Sequence, residues 1–194
     1  MNNYPEYAEV NGRRYKIDTD FKTAIECNRI AEDNTIGDYE RALGILITLY
    51  GEEVLDNPED LESLLKISEK YLLCGKQKEE PEEEPDMDYI EDMDYIEASF
   101  MSDYNIDLSN EKMHWWKFNN LINGLSSSEL GNSCILNRIR QIRTYDTSKI
   151  EDDKERQKIE KLKERVALKK NKKEIVLTKE QEESMERLNK IIGL

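Results

Sequence analysis

The sequence predicts a mainly α-helical protein, a helical bundle with a short N-terminal β-hairpin and a projecting C-terminal helical segment. Three observations carry that prediction. Apolar residues recur every three or four positions in one segment after another, the spacing that gathers side chains on one face of a helix. Near the start, Asn11-Gly12 lies between two short extended arms, and Asn-Gly is the strongest two-residue hairpin signal. Charged residues make up 37% of the chain, against a usual share of about 25%, so part of it must stand in water rather than in a core.

The totals narrow the function classes. At 194 residues and 22.9 kDa the chain suits one ordinary domain, or a domain with an appendage. A net charge of −14 and a pI near 4.7 repel phosphates and anionic lipid, so neither nucleic acid nor membrane is expected as a partner. Cys27, Cys74 and Cys134 form no CxxC pair and point to a reducing compartment. The opening "MNNYPEYAEV" lacks a basic n-region and an apolar h-region. The longest strongly apolar run, Leu43 to Tyr50, falls far short of the roughly 20 residues that span a bilayer. A cytoplasmic location follows as the expectation.

Residues 1–76 read as a hairpin plus a helical N-terminal half. The hairpin covers Ala8 to Ile17. Asp20 is placed to cap a helix whose apolar face is Phe21, Ala24, Ile25, Cys27 and Ala31. A second helix runs through "DYERALGILITLY". A third runs through "NPEDLESLLKISEKYLLCG", with Asn57 as cap, Pro58 in the first turn, Gly75 as stop, and Leu61, Leu64, Leu65, Ser68, Tyr71 and Leu72 on one stripe.

Residues 77–87 read as an acidic linker. From Gln77 to Glu97 there are eleven carboxylates against one lysine, and Pro81 and Pro85 exclude a continuous helix before Asp86. A tandem duplication follows, "MDYIED" then "MDYIEA", with a six-residue period that matches no helical repeat. The tract has no glycine around which a calcium loop could turn. A helix is expected to begin at Asp88.

Residues 88–147 read as an aromatic-rich helical half. "KMHWWKFNNLINGL" sets the one histidine beside both tryptophans. If Lys112 to Leu125 is helical, His114, Phe118, Leu121, Ile122 and Leu125 share a stripe with Trp115 at its edge, while Trp116 points the other way with Lys117 and Asn120. That assigns His114, Trp115, Phe118, Leu121 and Ile122 to core packing and leaves Trp116 for a second layer or a partner. No nucleophile and carboxylate stand at triad spacing, and one histidine with three scattered cysteines is poor material for zinc. No catalytic residue, metal, cofactor or small-molecule substrate is therefore expected. Ser126 to Glu129 resemble a new helix start, with Leu130, Cys134, Leu136 and Ile139 apolar and Arg138, Arg140 and Arg143 as a solvated face.

Residues 148–194 read as charged C-terminal helices. The first, Glu151 to Leu168, has a thin stripe of Ile159, Leu162 and Val166, and pairs such as Asp152 with Arg156. Residues 161–173 carry seven basic side chains and one acid, opposite in sign to 77–97, which makes self-association through these two segments an expectation. The last helix starts with Thr178 and Gln181 at capping-box spacing, and Leu177, Met185, Leu188, Ile191 and Ile192 form its stripe. Met185, Leu188, Ile191 and Ile192, with Trp116, are the expected partner-binding residues.

The stretch from Tyr104 to Leu168, with "YNIDLSNEKMHWWKFNNLINGLSSSE", "IRTYDTSKI" and "KERQKIEKLKERVAL", resembles a small phage protein family named after gene product fifteen of Gram-positive siphophages. "VNGRRYKIDTDFKTAIEC" and the "YLLCGK" ahead of the acidic tract resemble it too, so the likeness extends over most of residues 8 to 168. His114-Trp115-Trp116 followed by "NGLS" is its most specific piece. The duplication and the tail beyond about Leu168 depart from the pattern. The resemblance implies a role in tail morphogenesis, because such proteins are similar in gene position and helical character to tail assembly chaperones. It implies as partners the tape measure protein and the major tail tube protein, a location in the cytoplasm of the bacterial host cell, and absence from the finished virion. An acidic regulatory protein that mimics the charge of DNA is the alternative that the composition leaves open.

Overall fold

A computed structural model describes residues 4–77, 85–127 and 133–169. Strands β1 (Tyr7–Val10) and β2 (Arg13–Lys16) pair antiparallel, with Tyr7 opposite Lys16 and Val10 opposite Arg13. The turn needs positive φ at both centres, and Asn11 and Gly12 take 50° and 77°, values that asparagine and glycine reach at least cost. Alternation along β1 buries Ala8 and Val10 and leaves Tyr7 and Glu9 in solvent.

Seven α-helices follow among the described residues: α1 (Phe21–Glu32), α2 (Asp38–Tyr50), α3 (Leu61–Leu72), α4 (Met93–Tyr104), α5 (Trp115–Asn123), α6 (Ile135–Thr144) and α7 (Asp153–Val166). The protein is mainly α with one short hairpin. Asp20 caps α1 by accepting from the Lys22 amide at 2.9 Å. Phe21, Ala24, Ile25 and Cys27 are buried, whereas Ala31, in the last turn, is exposed.

The start of α3 differs from the prediction. Pro58–Asp60 form a single 3₁₀ turn, Asn57 makes no side-chain cap, and the α-helix begins at Leu61. The buried Asp60 carboxylate turns instead to the hairpin, accepting from Asn11 Nδ2 at 2.6 Å, Arg13 Nη1 at 2.9 Å and the Tyr15 hydroxyl at 2.5 Å. One acid thus fastens β1-β2 to the base of α3.

Packing gathers around two clusters. Under the hairpin lie Ala8, Val10, Leu46, Val54 and Leu64. The larger cluster takes Phe21, Ala24 and Cys27 from α1, Ile96 and Phe100 from α4, Trp115, Phe118 and Ile122 from α5, and Leu136 from α6. Residues on both sides of the acidic tract therefore share one core.

Three further boundaries depart from the sequence reading. Asp88 does not begin α4; its carboxylate accepts from the Ile90 and Glu91 amides at 2.8 and 2.9 Å, closing a separate turn before Met93. The two copies of the duplicated hexapeptide consequently fold differently, with Ile90 half exposed in the turn and Ile96 fully buried on the helix. Likewise, α6 begins at Ile135 rather than in Ser126 to Glu129. The Cys134 amide returns to the Ser126 carbonyl at 3.1 Å, so these two residues close a loop, and the Cys134 thiol caps the helix. On α7, Asp152 is the N-cap, accepting from the Glu155 amide at 2.8 Å, so Arg156 pairs with Asp153 instead. The expected terminal helix, with Met185, Leu188, Ile191 and Ile192, lies outside the described residues. Among those described, no helix is long and apolar enough to cross a membrane.

Candidate functional site

The aromatic block is organised where two helices begin side by side. A backbone bridge joins Asp20 to His114: the Phe21 amide donates to the Met113 carbonyl at 2.9 Å and the Trp115 amide to the Thr19 carbonyl at 2.8 Å. Asp20 caps α1 on one side of this bridge and His114 caps α5 on the other. His114 Nδ1 accepts from the Trp116 amide at 3.1 Å, so the ring proton resides on Nε2, which donates to the Pro5 carbonyl at 3.0 Å. His114 thus precedes the helix instead of lying on its stripe. Tyr4 stacks on the imidazole with ring centroids 4.8 Å apart, so both nitrogens and one face of the only histidine are engaged.

The tryptophans act on a third helix end. Trp115 Nε1 donates to the Leu72 carbonyl and Trp116 Nε1 to the Tyr71 carbonyl, each at 2.9 Å. These are carbonyls of the last turn of α3, where the α-helical bonds stop; the Tyr71 carbonyl also accepts from the Cys74 amide at 3.0 Å. Each such bond contributes about 0.5–1.5 kcal/mol. Cys74 (φ 54°) and Gly75 (φ 77°) turn the chain back there, and a Cβ on Gly75 would lie 3.1 Å from Trp116 Cη2.

The sequence reading leaves Trp116 for a second layer or a partner. It is half-buried, stacks on Tyr71 with centroids 6.3 Å apart, and meets Tyr4 edge-on. Its indole is engaged within the chain, on the end of α3.

Phe118 is the centre of the core, fully buried and stacked on Phe21 at 4.4 Å, Phe100 at 5.3 Å and Trp115 at 5.9 Å. Trp115 and Ile122 are buried and Leu121 is half-buried against the same cluster. Tyr89 meets Trp115 edge-on at 5.2 Å and donates to Asn119 Oδ1 at 2.7 Å. Between the ends of α1 and α3, residues 85–89 and α5 lies an open cleft of about 420 Å³, lined by Asn28, Leu73, Cys74, Tyr89, Trp115 and Asn119 among others. Its lining is mixed in polarity and also includes Glu32, Lys76 and Asp88.

Three groups near this block, Cys27, Cys74 and Tyr89, are held in neutral forms by burial. Burial pushes the Cys27 thiol up to about 12, the Cys74 thiol up to about 11 and the Tyr89 phenol up to about 12. These thiols are poor nucleophiles, because the thiolate is the reactive form. Among the described residues, no three His, Cys, Asp or Glu side chains group to hold a metal ion.

The most heavily bonded charged pair was not foreseen. Arg143, expected on a solvated face with Arg138 and Arg140, is buried against Asp92. Nη1 and Nη2 donate to the two carboxylate oxygens at 2.6 and 2.7 Å, and the side chains are 10% and 1% exposed. Nη1 also donates to the Asp86 carbonyl at 2.8 Å and Nε to the Val166 carbonyl at 2.6 Å. One guanidinium therefore ties α6 to the segment before α4 and to the end of α7. The Asp92 carboxylate in turn holds its pKa up. Arg140 pairs with Asp86 at 3.0 Å, and Arg138 stays exposed. A signal was present: at 100° per residue Arg143 falls on the stripe of Leu136, seven positions earlier, so an arginine interrupts an apolar face.

The description "Bacteriophage Gp15 protein" belongs to a family model that matches residues 1–168. No curated protein and no solved structure gives a significant match. The matched stretch includes the hairpin, the bridge of α1 and α5 and the Arg143–Asp92 pair, and ends at the buried Leu168. The chain belongs to the bacteriophage Gp15 protein family.

Proposed function

We propose that this phage protein is a non-enzymatic tail assembly chaperone that binds the tape measure protein and keeps it soluble while the tail is built. The observation that carries the reading is membership of the Gp15 family across residues 1–168, together with the resemblance of such proteins to tail assembly chaperones. The chemistry is compatible. The only histidine is committed at both nitrogens, two of the three thiols are held protonated, and the central aromatics pack on one another. What remains for function is surface: helices with narrow apolar stripes on a body of net charge −14. A holdase needs those two properties, since apolar stripes capture a partner while like charge keeps the complex dispersed. A long helical client would offer many equivalent contacts in series. The major tail tube protein, which displaces such a chaperone as the tube polymerises, is the second expected partner. Contact between copies through 77–97 and 161–173 would add a salt-dependent component.

The deciding experiment co-expresses the chain with the tape measure protein of the same genome and scores solubility and co-elution. A soluble, co-eluting tape measure protein supports the reading. An insoluble one with nothing bound overturns it, and competition with DNA for a basic DNA-binding protein then tests the charge-mimic alternative.

A further inference from the structure

Helix α7 is attached in a way unlike the rest of the fold. None of its residues from Asp153 to Val166 is buried, and its apolar residues Ile159, Leu162 and Val166, spaced i, i+3, i+7, are half-buried. The helix packs on α6 and on the short turn at Thr147–Lys149 before it. Ile139 of α6 is 7% exposed and Leu168 1% exposed, yet neither belongs to the two core clusters. The seam of α6 and α7 is therefore a small separate apolar patch.

The patch closes at one end. Leu168 is inserted, the Lys169 amide donates to the Glu91 carboxylate at 2.9 Å, and Arg143 Nε holds the Val166 carbonyl at 2.6 Å. Along its length the polar ties from α7 back to the chain before it are Lys163 Nζ on the Tyr145 carbonyl at 2.6 Å and Arg156 Nη1 on the Ile150 carbonyl at 3.5 Å. A helix with no buried residue of its own, held mainly by polar ties and by the clasp at its end, opens locally at lower free energy than the core.

We infer that α7 is an internal occupant of a partner site: the apolar face of α6, which includes Ile139 and Ile142, accepts an amphipathic partner helix with an i, i+3, i+7 stripe once the Leu168 clasp lets α7 go. The occupant seen in place defines the chemistry of the ligand. It is a helix whose stripe is one residue wide and whose remaining faces are charged. Opening does not dismantle the core: Arg143 gives up the Val166 carbonyl but keeps its bidentate pair with Asp92, and α6 stays on α4 through the Leu136 side chain and the Leu136 amide on Ser99 Oγ at 3.1 Å. The inference deepens the binding role proposed above and rests on it for the identity of the client alone.

Hydrogen exchange on the full chain tests it without any client. The amides of α7 should exchange at least tenfold faster than those of α4 and α5 in the unaltered protein. In Leu168→Asp, and more mildly in Glu91→Ala, α7 protection should fall while α4 and α5 keep theirs. A labelled peptide of residues 153–168 should bind Leu168→Asp at least tenfold more tightly than the unaltered chain, and the same peptide carrying Leu162→Asp should not bind. Equal exchange of α7 and α4 in the unaltered protein, or peptide binding indifferent to the clasp, overturns the inference. Failure of these arms leaves the co-expression result standing, and failure of co-expression leaves these arms standing.

Discussion

Replacing Arg143 with methionine is the sharpest test of how the fold is held. Methionine keeps most of the apolar stem and deletes the charge. The Asp92 carboxylate, 1% exposed, is then left with the Asp88 amide at 3.0 Å, and the carbonyls of Asp86 and Val166 lose their donor. Breaking a buried pair by removing one partner costs about 3–5 kcal/mol, because an uncompensated charge stays buried. A domain holds about 5–15 kcal/mol in all, so about a fifth or more of the stability is at stake. At 2–4 °C per kcal/mol for a chain of this size, the melting midpoint should drop by about 6–20 °C. Removing both charges together, Asp92→Leu with Arg143→Met, should restore stability to within about 1 kcal/mol of the unaltered protein, since apolar replacement of a buried pair is often neutral or better. Urea unfolding followed by tryptophan fluorescence reads all three, because Trp115 is buried and Trp116 half-buried beside the core. A single-variant loss below about 1 kcal/mol, or a double variant as unstable as the sum of the singles, would refute the reasoning.

Other outcomes follow from the same contacts. Gly75→Ala places a Cβ at φ 77° and 3.1 Å from Trp116, which should cost about 1–2 kcal/mol and shift the tryptophan emission to the red. The same change at Gly12 meets no atom within 4 Å and should leave the emission unmoved. In thiol titration at pH 8, half-buried Cys74 should react first and slowly, and Cys27 and Cys134 only on unfolding; rapid labelling of Cys27 in the folded protein would contradict its burial. Asp60 has its pKa lowered, first by the Tyr15 hydroxyl and then by Asn11 and Arg13. A depressed carboxylate contributes stability that is complete above its unfolded value of about 3.9 and is lost as pH falls through the folded one. Asp60→Asn should therefore flatten the fall of the urea midpoint between pH 5 and pH 3, both figures set by that value of about 3.9.

Much of this protein was legible one segment at a time. The Asn11-Gly12 turn, the Asp20 cap and the apolar faces of α1 and α3 depend on contacts within a few residues, so spacing alone places them. The misplaced boundaries have a common cause. Asn57, Asp88 and Ser126 each have the local capacity to cap, yet a neighbouring use wins: Asp88 closes its own turn with Ile90 and Glu91, Cys134 caps α6 in place of Ser126, and Asp60 beside Asn57 is taken by the distant hairpin. His114 lies before the helix and not on its stripe because the bridge from Asp20, 94 residues earlier in the numbering, stops the helix from starting before Trp115.

Charge was the least legible property. Composition correctly shows an excess of carboxylates, but nothing local separates Asp92 and Asp60, which are buried, from the acids that stand in water. Their roles are decided by which cation or donor the fold delivers across about 50 residues of chain, Arg143 to the first and Arg13 and Tyr15 to the second. The sequence by itself therefore determined the helical class, the hairpin and the family. Only the tertiary structure decided that the two tryptophans close the end of α3, that one arginine joins three segments, and that α7 rests on a seam of its own, because each depends on pairings between residues far apart in the chain.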